Sequence, residues 1–466
     1  MAACERTQGI GAPGGGGLTR LILTHGYFLA EDPKEQQIMK PYVPLGLLYL
    51  SSHLRDRCFD VEIYDSTFGS REALYHLIES GAPGVLGIYG NLMTRANVLE
   101  IAGRAKASGW LVMLGGPEPS NYAEEYLQRC ADLIVAGEGE LAVERLMAAD
   151  FNRNAWPAIP GLIFRGEDGN VVRTGSAETI RDLDQQPWPD RERVDIPRYL
   201  DTWRTHHGSG SVSVITARGC PFKCDWCSHS VYGHTHRRRS PAKVVDEIEW
   251  LLKRYRPEML WIADDVFTIN HKWIADYAGE MKKRGLRIPF ECISRADRMN
   301  ESTAALLAEL GCTRLWIGSE SGSQRILDSM RRGVTVEQVQ RAVNLCRQNG
   351  IATGMFLMWG YDGEQIEDIE ATIEHVKRCR PDTFFTTVSY PIKGTPYYDK
   401  VASRLVNVRP WSESTDRDFR IRGRHSRHFY QHADELLRSE MAEQPDPART
   451  AAARRALEMT SEEVEA

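Results

Sequence analysis

Residues 218–227 read RGCPFKCDWC and contain three cysteines, Cys220, Cys224 and Cys227, in the spacing C-x3-C-x2-C. No fourth cysteine lies nearby in the sequence. Three thiolates on one short loop can bind three irons of a four-iron cluster and leave the last iron open to a small molecule. The spacing therefore predicts a catalytic 4Fe-4S site, and the three cysteines are its predicted metal ligands.

Structural zinc is the main alternative for this loop. A closed zinc site has four protein ligands and usually shows a second C-x2-C or H-x3-H pair. His229, His234 and His236 follow the cysteines, but they lie in a charged, glycine-broken stretch without that spacing. Disulfide bonds are a weaker alternative, because the ten cysteines are irregularly spaced and no secretory signal is evident.

Length and composition indicate a multidomain protein. The chain has 466 residues, of which 42% are hydrophobic, enough for about three domains. No apolar run approaches the ~18 residues that span a bilayer, and the N-terminus has no hydrophobic export segment, so we expect a cytoplasmic protein with no membrane span. The net charge of −6, with one short basic cluster at residues 237–239, gives no argument for nucleic acid as a partner.

The first part of the chain predicts a doubly wound, Rossmann-like α/β domain over residues 18–150. Residues 1–17 are rich in glycine and have no periodic apolar pattern, so we expect a disordered tail. The segments between the predicted strands, such as PLGLLYLSSHLRD, repeat apolar residues at three and four and predict helices. Short apolar runs that end in glycine or a polar turn predict buried parallel strands in RLILTHG, VEIYDS, GVLGIYG, WLVMLGG and ADLIVAGEG.

The second part predicts another strand–helix alternation. Residues 151–205 are rich in proline and predict a short β excursion followed by an irregular connector. Residues 206–400 predict a partial (β/α)6 barrel with its chemistry at the carboxyl ends of the strands, and the cysteine loop follows the first strand. Residues 401–466 predict a C-terminal helical extension whose role the sequence does not indicate. The six predicted strands lie in SVSVITARG, MLWIADDVF, PFECISRADRM, RLWIGSESG, ATGMFLMWG and DTFFTTVSYPI.

The cysteine loop, with Trp226 directly before its last cysteine, closely resembles the radical SAM superfamily. The resemblance implies that the open iron binds the amino and carboxylate groups of S-adenosylmethionine. It also implies that one electron from the cluster splits the sulfonium to give a 5′-deoxyadenosyl radical. A reducing partner such as flavodoxin or ferredoxin is the implied source of that electron.

The same resemblance implies further contacts to S-adenosylmethionine. Asp264 and Asp265 follow the second strand, where many family members carry a glycine-glycine-glutamate turn that binds the methionyl amine; capping of the next helix explains the pair equally well. Glu320 lies in a turn that matches the family's G-x-E-S pattern, which implies contact with the ribose or the amine. Gly360 opens a loop that resembles the adenine-side glycine loop, although Asp362 replaces the frequent proline.

An α/β domain upstream of such a core is similar to the cobalamin-binding domain of the cobalamin-dependent radical SAM enzymes, and this resemblance covers nearly all of residues 18–400. Glycines at strand ends let the backbone approach a large ligand. Leu23 stands where the family's aspartate would be, so His25 is not expected to ligate cobalt. A flavodoxin-like packing module without cofactor is the alternative. The implied cobalamin contacts are Asn91, Leu92, Gly115, Gly116, Gly137 and Glu138.

The leading hypothesis is a cobalamin-dependent radical methyltransferase that acts on an unactivated carbon of a small-molecule metabolite. Such chemistry needs both cofactors to face one substrate, and the protein's task is their orientation. The alternatives are oxidation or cyclisation without methyl transfer, as in the anaerobic porphyrin-ester cyclases, methylthio transfer to tRNA, and a non-catalytic cobalamin or redox sensor. The substrate itself cannot be read from loop residues.

Overall fold

The computed structural model describes residues 19–444 and 446–465. The predicted disordered tail, residues 1–17, lies outside the described residues. The chain forms two compact units: the first extends to His206 and includes Ser230–Tyr232, and the second comprises His207–His229 and everything from Gly233 onward.

A single sheet forms the centre of the first unit. The first five strands are parallel, and their order along the sheet is 2-1-3-4-5. The strand order reverses beside the first strand, and sheets of this kind bind ligands outside the carboxyl ends of their strands near such a reversal. In the described part of the unit the strands are β1 (Leu21–His25), β2 (Val61–Ile63), β3 (Val85–Tyr89), β4 (Leu111–Gly115), β5 (Leu133–Val135), β6 (Leu162–Arg165) and β7 (Val171–Arg173).

Helices connect the parallel strands, as the apolar periodicity predicts. The second helix buries Leu47, Leu48 and Leu54 on one face, because apolar residues spaced by about one turn lie on the same side of a helix. The helices of the first unit are α1 (Pro33–Ile38), α2 (Leu45–Asp56), α3 (Arg71–Ser80), α4 (Arg95–Ala107), α5 (Ala123–Arg129), α6 (Glu140–Ala148) and α7 (Ile196–His207).

The predicted connector, residues 151–205, needs correction. Strands β6 and β7 form a hairpin, and β6 pairs antiparallel with β5, so the hairpin extends the first sheet instead of bridging two domains. Leu162 and Phe164 are buried in the same apolar cluster as the parallel strands. The sequence showed the hairpin but not its partner, because pairing to an existing sheet edge leaves no local signal.

The second unit contains an open parallel sheet. The order is β8-β11-β12-β13-β14-β15, and every neighbouring pair is parallel, with β8 and β15 as the two edges. This arrangement agrees with the predicted six-stranded partial barrel. The described strands of the second unit, of which β9, β10, β16 and β17 lie outside this sheet, are β8 (Ser211–Val214), β9 (Ala217–Arg218), β10 (Arg237–Arg238), β11 (Met259–Ile262), β12 (Phe290–Ser294), β13 (Cys312–Glu320), β14 (Ala352–Trp359), β15 (Thr383–Val388), β16 (Leu405–Val406) and β17 (Arg420–Ile421).

The C-terminal extension is only partly helical. It begins with an antiparallel pair, β16 and β17, before its two long helices. These helices pack on each other, and the first of them also packs on the helix Ile366–Cys379. No helix in the described ranges has both the length and the apolar character needed to cross a bilayer. The helices of the second unit are α8 (Pro241–Arg254), α9 (His271–Lys283), α10 (Glu301–Leu310), α11 (Gln324–Ser329), α12 (Val336–Gln348), α13 (Ile366–Cys379), α14 (Pro396–Val401), α15 (Arg427–Glu440) and α16 (Pro447–Met459).

A buried ion pair orders the loop that follows β4 in the first unit. Arg95, at the start of α4, donates to Glu118 at 2.5 Å, and both side chains are almost fully buried. The Tyr126 hydroxyl donates to the same carboxylate at 3.0 Å. A buried carboxylate is tolerated when a positive charge and hydrogen bonds compensate for its lost hydration. The pair therefore fixes the backbone just beyond the glycines at the end of β4.

We expect Glu118→Gln to lower the free energy of unfolding by about 3 kcal/mol, because it removes the negative charge that faces buried Arg95. Glu124→Gln is the control, since Glu124 lies exposed on the neighbouring helix α5. Urea unfolding followed by far-ultraviolet circular dichroism measures both. Equal stability of the two variants would show that the ion pair contributes little.

Candidate active site

The cysteine loop is held at both ends by a short hairpin. Strands β9 and β10 pair antiparallel and enclose residues 219–236, which include all three cysteines. Gly219 opens the loop at φ +85°, and a Cβ there would lie 2.4 Å from the Thr235 carbonyl oxygen. At the far side, the Asp225 amide donates to the Met330 carbonyl at 3.1 Å, and the Tyr397 amide donates to the Asp225 carbonyl at 2.9 Å. The part of the loop that carries the cysteines is therefore braced within the second unit.

The three cysteines of the loop are free thiols. Burial raises the pKa of Cys220 and Cys227, to about 12 for Cys227, and the neighbouring thiols and the Asp265 charge raise both further. Thiols with raised pKa values stay protonated near neutral pH unless a cation stabilises the thiolates. Iron supplies that positive charge, and in a cubane cluster each thiolate binds its own iron. The donor set therefore fits a three-cysteine cluster.

The structure separates the roles of the two neighbouring aspartates. Asp264 is buried, and its carboxylate accepts hydrogen bonds from the Thr216 amide and hydroxyl, the Ala217 amide and the Arg238 guanidinium at 2.5 to 3.0 Å. These bonds occupy the carboxylate, so Asp264 is corrected from a cofactor contact to a structural brace. Asp265 differs from it, because its charge raises the pKa values of Cys220 and Cys227.

Two arginines of the basic cluster at residues 237–239 are buried and paired with carboxylates. Arg238 pairs with Asp264, and its guanidinium lies 3.8 Å above the Trp273 ring. Arg239 pairs with the buried Glu247 carboxylate. Both charges are internal ones that tie the hairpin to neighbouring elements, because a guanidinium is buried only where a carboxylate and further acceptors receive it.

Glu320 lies at the carboxyl end of β13 in a left-handed backbone conformation, with φ +63°. Helix α13 braces the turn, since His375 meets the Ser319 hydroxyl at 3.1 Å and the Thr372 hydroxyl accepts from the Gly322 amide at 2.9 Å. The Glu320 carboxylate lies 3.8 Å from Arg332. Burial raises the pKa of Glu320 to about 7, although the Arg332 charge opposes the rise. The side chain can therefore donate or accept a proton near neutral pH.

Gly360 has a structural role that its predicted adenine contact did not anticipate. Its backbone has φ +72°, and a Cβ there would lie 2.9 Å from the Tyr430 ring of α15. Its amide donates to the Glu364 carboxylate at 2.5 Å, and its carbonyl accepts from the Ser389 hydroxyl at 2.7 Å. Burial raises the pKa of Glu364 to about 8. The C-terminal extension thus packs directly behind the glycine loop.

A cavity of about 410 Å³ opens beside the cysteine loop in the second unit. Cys227 and Glu320 both line it, so two of the predicted site residues meet at one space. Its remaining wall is mostly apolar. Trp226 and Ser228 belong to the cysteine loop, and the other wall residues lie on or just after β14 and β15, a position that was their signal in the sequence. The wall residues other than Cys227 and Glu320 are Trp226, Ser228, Phe356, Leu357, Met358, Phe385, Thr386, Thr387, Tyr390 and Ile392.

A second cavity, of about 380 Å³, lies at the carboxyl edge of the sheet in the first unit. Four predicted contacts line it: Gly115, Gly116, Gly137 and Glu138. A Cβ at Gly46, which also lines the cavity, would meet no atom within 4 Å. Backbone without side chains leaves room for a flat, bulky ligand close to the strand ends. The glycine-lined edge of the sheet can therefore receive part of a ligand as large as cobalamin.

Asn91 and Leu92 do not line this cavity. The Asn91 side chain instead accepts from the amides of Met93 and Thr94 at 2.9 and 3.1 Å, which orders the turn before α4. The cavity has wall residues that the sequence did not suggest, among them Val231 and Tyr232 from the segment after the cysteines. Their position in the first unit follows from the folded path of the loop and leaves no pattern in the sequence.

His25 is engaged on both ring nitrogens. Its Nε2 lies 3.0 Å from Asp65 at the end of β2, and its Nδ1 accepts from the Tyr27 amide at 3.2 Å. Tyr199 donates to the other oxygen of Asp65 at 2.7 Å. These hydrogen bonds hold the imidazole ring in one orientation. The expectation that His25 does not ligate cobalt stays a prediction.

Two family models match the chain. The model described as Radical SAM superfamily matches residues 214–376, and the model described as B12 binding domain matches residues 38–147. The first match covers the cysteine loop and the four inner strands of the open sheet, β11 to β14. The second covers most of the parallel sheet and the glycine-lined cavity of the first unit.

Two curated relatives and one solved structure extend these matches. The uncharacterized methyltransferase PH0819 of Pyrococcus horikoshii is 31% identical over 80% of this chain and 82% of its own length. The anaerobic magnesium-protoporphyrin IX monomethyl ester cyclase of Synechocystis is 26% identical over 80% of this chain and 75% of its own length. The fold is similar to that of the cobalamin-dependent S-adenosylmethionine radical enzyme OxsB, with a TM-score of 0.74, 18% identity and coverage of 96% of this chain and 71% of that chain.

We expect Glu364→Gln to flatten the pH dependence of stability. The pKa of Glu364 lies above its ordinary value in the folded protein, so its stabilising contribution is complete below about pH 4.5 and is lost as the pH rises towards about 8. Between these values the parent should lose up to roughly 1.4 kcal/mol per pH unit relative to the variant.

Denaturant unfolding at several pH values, without added cofactor, measures this difference. Glu367→Gln is the control, because Glu367 lies exposed in the first turn of α13. Parallel stability curves for the parent and Glu364→Gln would contradict the raised pKa.

Proposed function

This chain belongs to the cobalamin-dependent radical SAM enzymes, and on that premise we propose that it is a methyltransferase that acts on an unactivated carbon of a small-molecule metabolite. Its cofactors are a 4Fe-4S cluster, S-adenosylmethionine and cobalamin. The observation that carries the choice of methyl transfer is the 31% identity, across both units, to a relative named as a methyltransferase.

Residues of the second unit are assigned to the cluster and to S-adenosylmethionine. Cys220, Cys224 and Cys227 would hold the cluster through three thiolates and leave one iron for the cofactor. Asp265 and Glu320 would bind its amine or ribose, since Asp265 acts on the cysteines and Glu320 lines the same cavity as Cys227. When bound, the cluster supplies the electron that cleaves S-adenosylmethionine, and cobalamin carries the methyl group.

The raised pKa of Glu320 suits a contact that changes with protonation. Below about pH 7 the neutral carboxyl group can donate a hydrogen bond to a ribose hydroxyl, and above it the carboxylate attracts an ammonium group. The Arg332 guanidinium lies 3.8 Å from this carboxylate. The contact therefore orients the cofactor towards the thiolates and moves no proton in the transfer itself.

The apolar wall of the second unit's cavity has a protective function in this proposal. Phe356, Met358 and Ile392 line the space beside Cys227. An apolar wall excludes water and prevents side reactions of a reactive species. A reducing partner such as flavodoxin or ferredoxin is proposed as the electron source.

Residues of the first unit would hold cobalamin at the edge of the sheet. Gly115, Gly116, Gly137 and Glu138 line the cavity there, and Gly46 borders it from α2. His25, whose ring is held by hydrogen bonds, is not a cobalt ligand in this proposal. The shape of the cavity and contacts from the backbone would therefore hold the ligand, because parallel strands that end in glycine offer such contacts.

A labelled-methyl experiment tests the proposed reaction. The protein is reconstituted anaerobically with iron, sulfide and hydroxocobalamin, then incubated with reductant, methyl-labelled S-adenosylmethionine and a deproteinised cell extract. We expect 5′-deoxyadenosine together with label in a small molecule. Formation of 5′-deoxyadenosine with an oxidised or cyclised product and no transferred label would favour the oxidative alternative.

We expect Cys224→Ala to reduce 5′-deoxyadenosine formation at least 100-fold, because it removes one of only three cluster ligands. Cys346→Ala is the control, since Cys346 is equally buried but lies on α12, outside the site. Undiminished product from Cys224→Ala would contradict the catalytic assignment.

We also expect Gly46→Leu to weaken hydroxocobalamin binding at least tenfold, because the new side chain would occupy cavity space. Gly103→Leu on α4 is a matched control: it is also a helical glycine whose Cβ would meet no atom within 4 Å, but it lies outside the cavity. Equilibrium dialysis with absorbance detection gives both dissociation constants. Similar values for the two variants would place the ligand elsewhere.

A further inference from the structure

Two arginines contact the sulfur of one cluster cysteine. Arg295 Nη1 and Arg332 Nη1 each lie 3.7 Å from the Cys224 Sγ atom. Both arginines and Cys224 are buried, with exposed fractions of 3%, 6% and 8%. A hydrogen bond from a charged donor is stronger than a neutral one, and burial limits its screening by water.

The protein backbone fixes both guanidinium groups. Arg295 Nη2 donates to the carbonyls of Arg332 and Gly333 at 2.9 and 3.3 Å, and Arg332 Nη2 donates to the Gly318 carbonyl at 2.9 Å. The Arg295 guanidinium also lies 3.6 Å above the ring of Phe222, inside the cysteine loop. Because backbone carbonyls hold each guanidinium group, the position of its charge does not depend on the Cys224 sulfur.

Carboxylates balance the two charges unequally. Arg295 has a close partner, with Nε donating to Asp297 at 2.9 Å. Arg332 has only a looser one: its Nε has no hydrogen-bond partner and lies 3.8 Å from the Glu320 carboxylate. The buried positive charge at Arg332 is therefore the less compensated of the two.

The other two cysteines have a different environment. Cys227 has a contact of 3.9 Å from its sulfur to the Ser228 carbonyl, and Asp265 places negative charge near both Cys220 and Cys227. The thiolate triad is thus electrically asymmetric. Two guanidinium groups contact the Cys224 sulfur, whereas the Asp265 charge acts on the other two cysteines and the Arg295 charge also reaches Cys220.

We propose that Arg295 and Arg332 are positioning residues that hold positive charge against the Cys224 sulfur and thereby raise the reduction potential of the cluster. The reduced cluster carries one more negative charge than the oxidised one, so nearby cations stabilise it. Reduction potentials of iron–sulfur clusters depend on net charge and on hydrogen bonds to the sulfurs. This inference rests on the cluster binding of the proposed function and not on the methyl transfer.

The test is a potentiometric titration of the reconstituted full-length protein without S-adenosylmethionine, followed by electron paramagnetic resonance. We expect Arg332→Gln and Arg295→Gln each to lower the reduced-to-oxidised ratio at a fixed potential at least tenfold, which is a shift of about 59 mV for a one-electron couple. The Arg332→Gln effect should be the larger, because Arg332 is less compensated. Arg332→Lys retains the charge and should restore most of the parent ratio.

Adjacent arginines provide matched controls. Arg331 pairs with Asp225 at 3.3 Å and is 62% exposed, and Arg298 pairs with Asp297 at 2.9 Å and is 38% exposed. Neither is a donor to a cluster cysteine, so Arg331→Gln and Arg298→Gln should leave the ratio within twofold of the parent.

The outcomes separate the inference from the proposed function. A parent that binds no cluster would overturn both. A parent that binds one, with parent-like ratios in both glutamine variants, would overturn the inference alone. If the glutamine variants fail to bind iron, the Arg332→Lys variant decides between charge and packing. Normal iron content in that variant supports a charge effect. Loss of iron in that variant as well indicates a packing role and overturns the inference.

Discussion

The candidate active site depends on the hydrogen bonds that the Asp264 carboxylate accepts. The donors are Thr216, Ala217 and Arg238, which lie at the two ends of the cysteine loop. Asp264 itself lies just beyond β11. One buried anion thereby joins both ends of the loop to the neighbouring strand of the sheet. A loop of irregular backbone is otherwise mobile, and catalytic loops need a rigid support to hold their ligands in register. The Arg238 guanidinium, stacked on Trp273, supplies the compensating charge.

The buried acidic residues of the second unit differ in how many hydrogen-bond donors surround their carboxylates. Asp264 is surrounded by hydrogen-bond donors and serves as a brace, whereas Glu320 is buried with a single arginine at 3.8 Å and has its pKa raised to about 7. Glu364 is also buried and has its pKa raised to about 8, but its carboxylate caps the Gly360 amide behind the cavity. The same side-chain chemistry thus has three roles, set by how many donors meet each carboxylate.

The C-terminal extension, whose role the sequence left open, supports the glycine loop from behind. Tyr430 of α15 packs against Gly360, and Arg424 donates to the Ser389 carbonyl at 2.7 Å. Ser389 in turn donates to the Gly360 carbonyl. A chain of contacts therefore runs from the extension to the end of β14, and the strand end that borders the cavity is fixed by residues more than 60 positions away in sequence.

The sequence alone determined the two parallel α/β units, the six-stranded open sheet and the cysteine triplet, because strand periodicity, glycine-ended turns and ligand spacing are local properties of the chain. It also placed Glu320 and the glycines at Gly115 and Gly137 at strand ends, where parallel sheets gather their functional groups. Only the tertiary structure decided that Asp264 is a brace, that Asn91 caps a turn and that two arginines meet the Cys224 sulfur. Hydrogen-bond partners and burial arise between segments distant in sequence, so no local pattern specifies them.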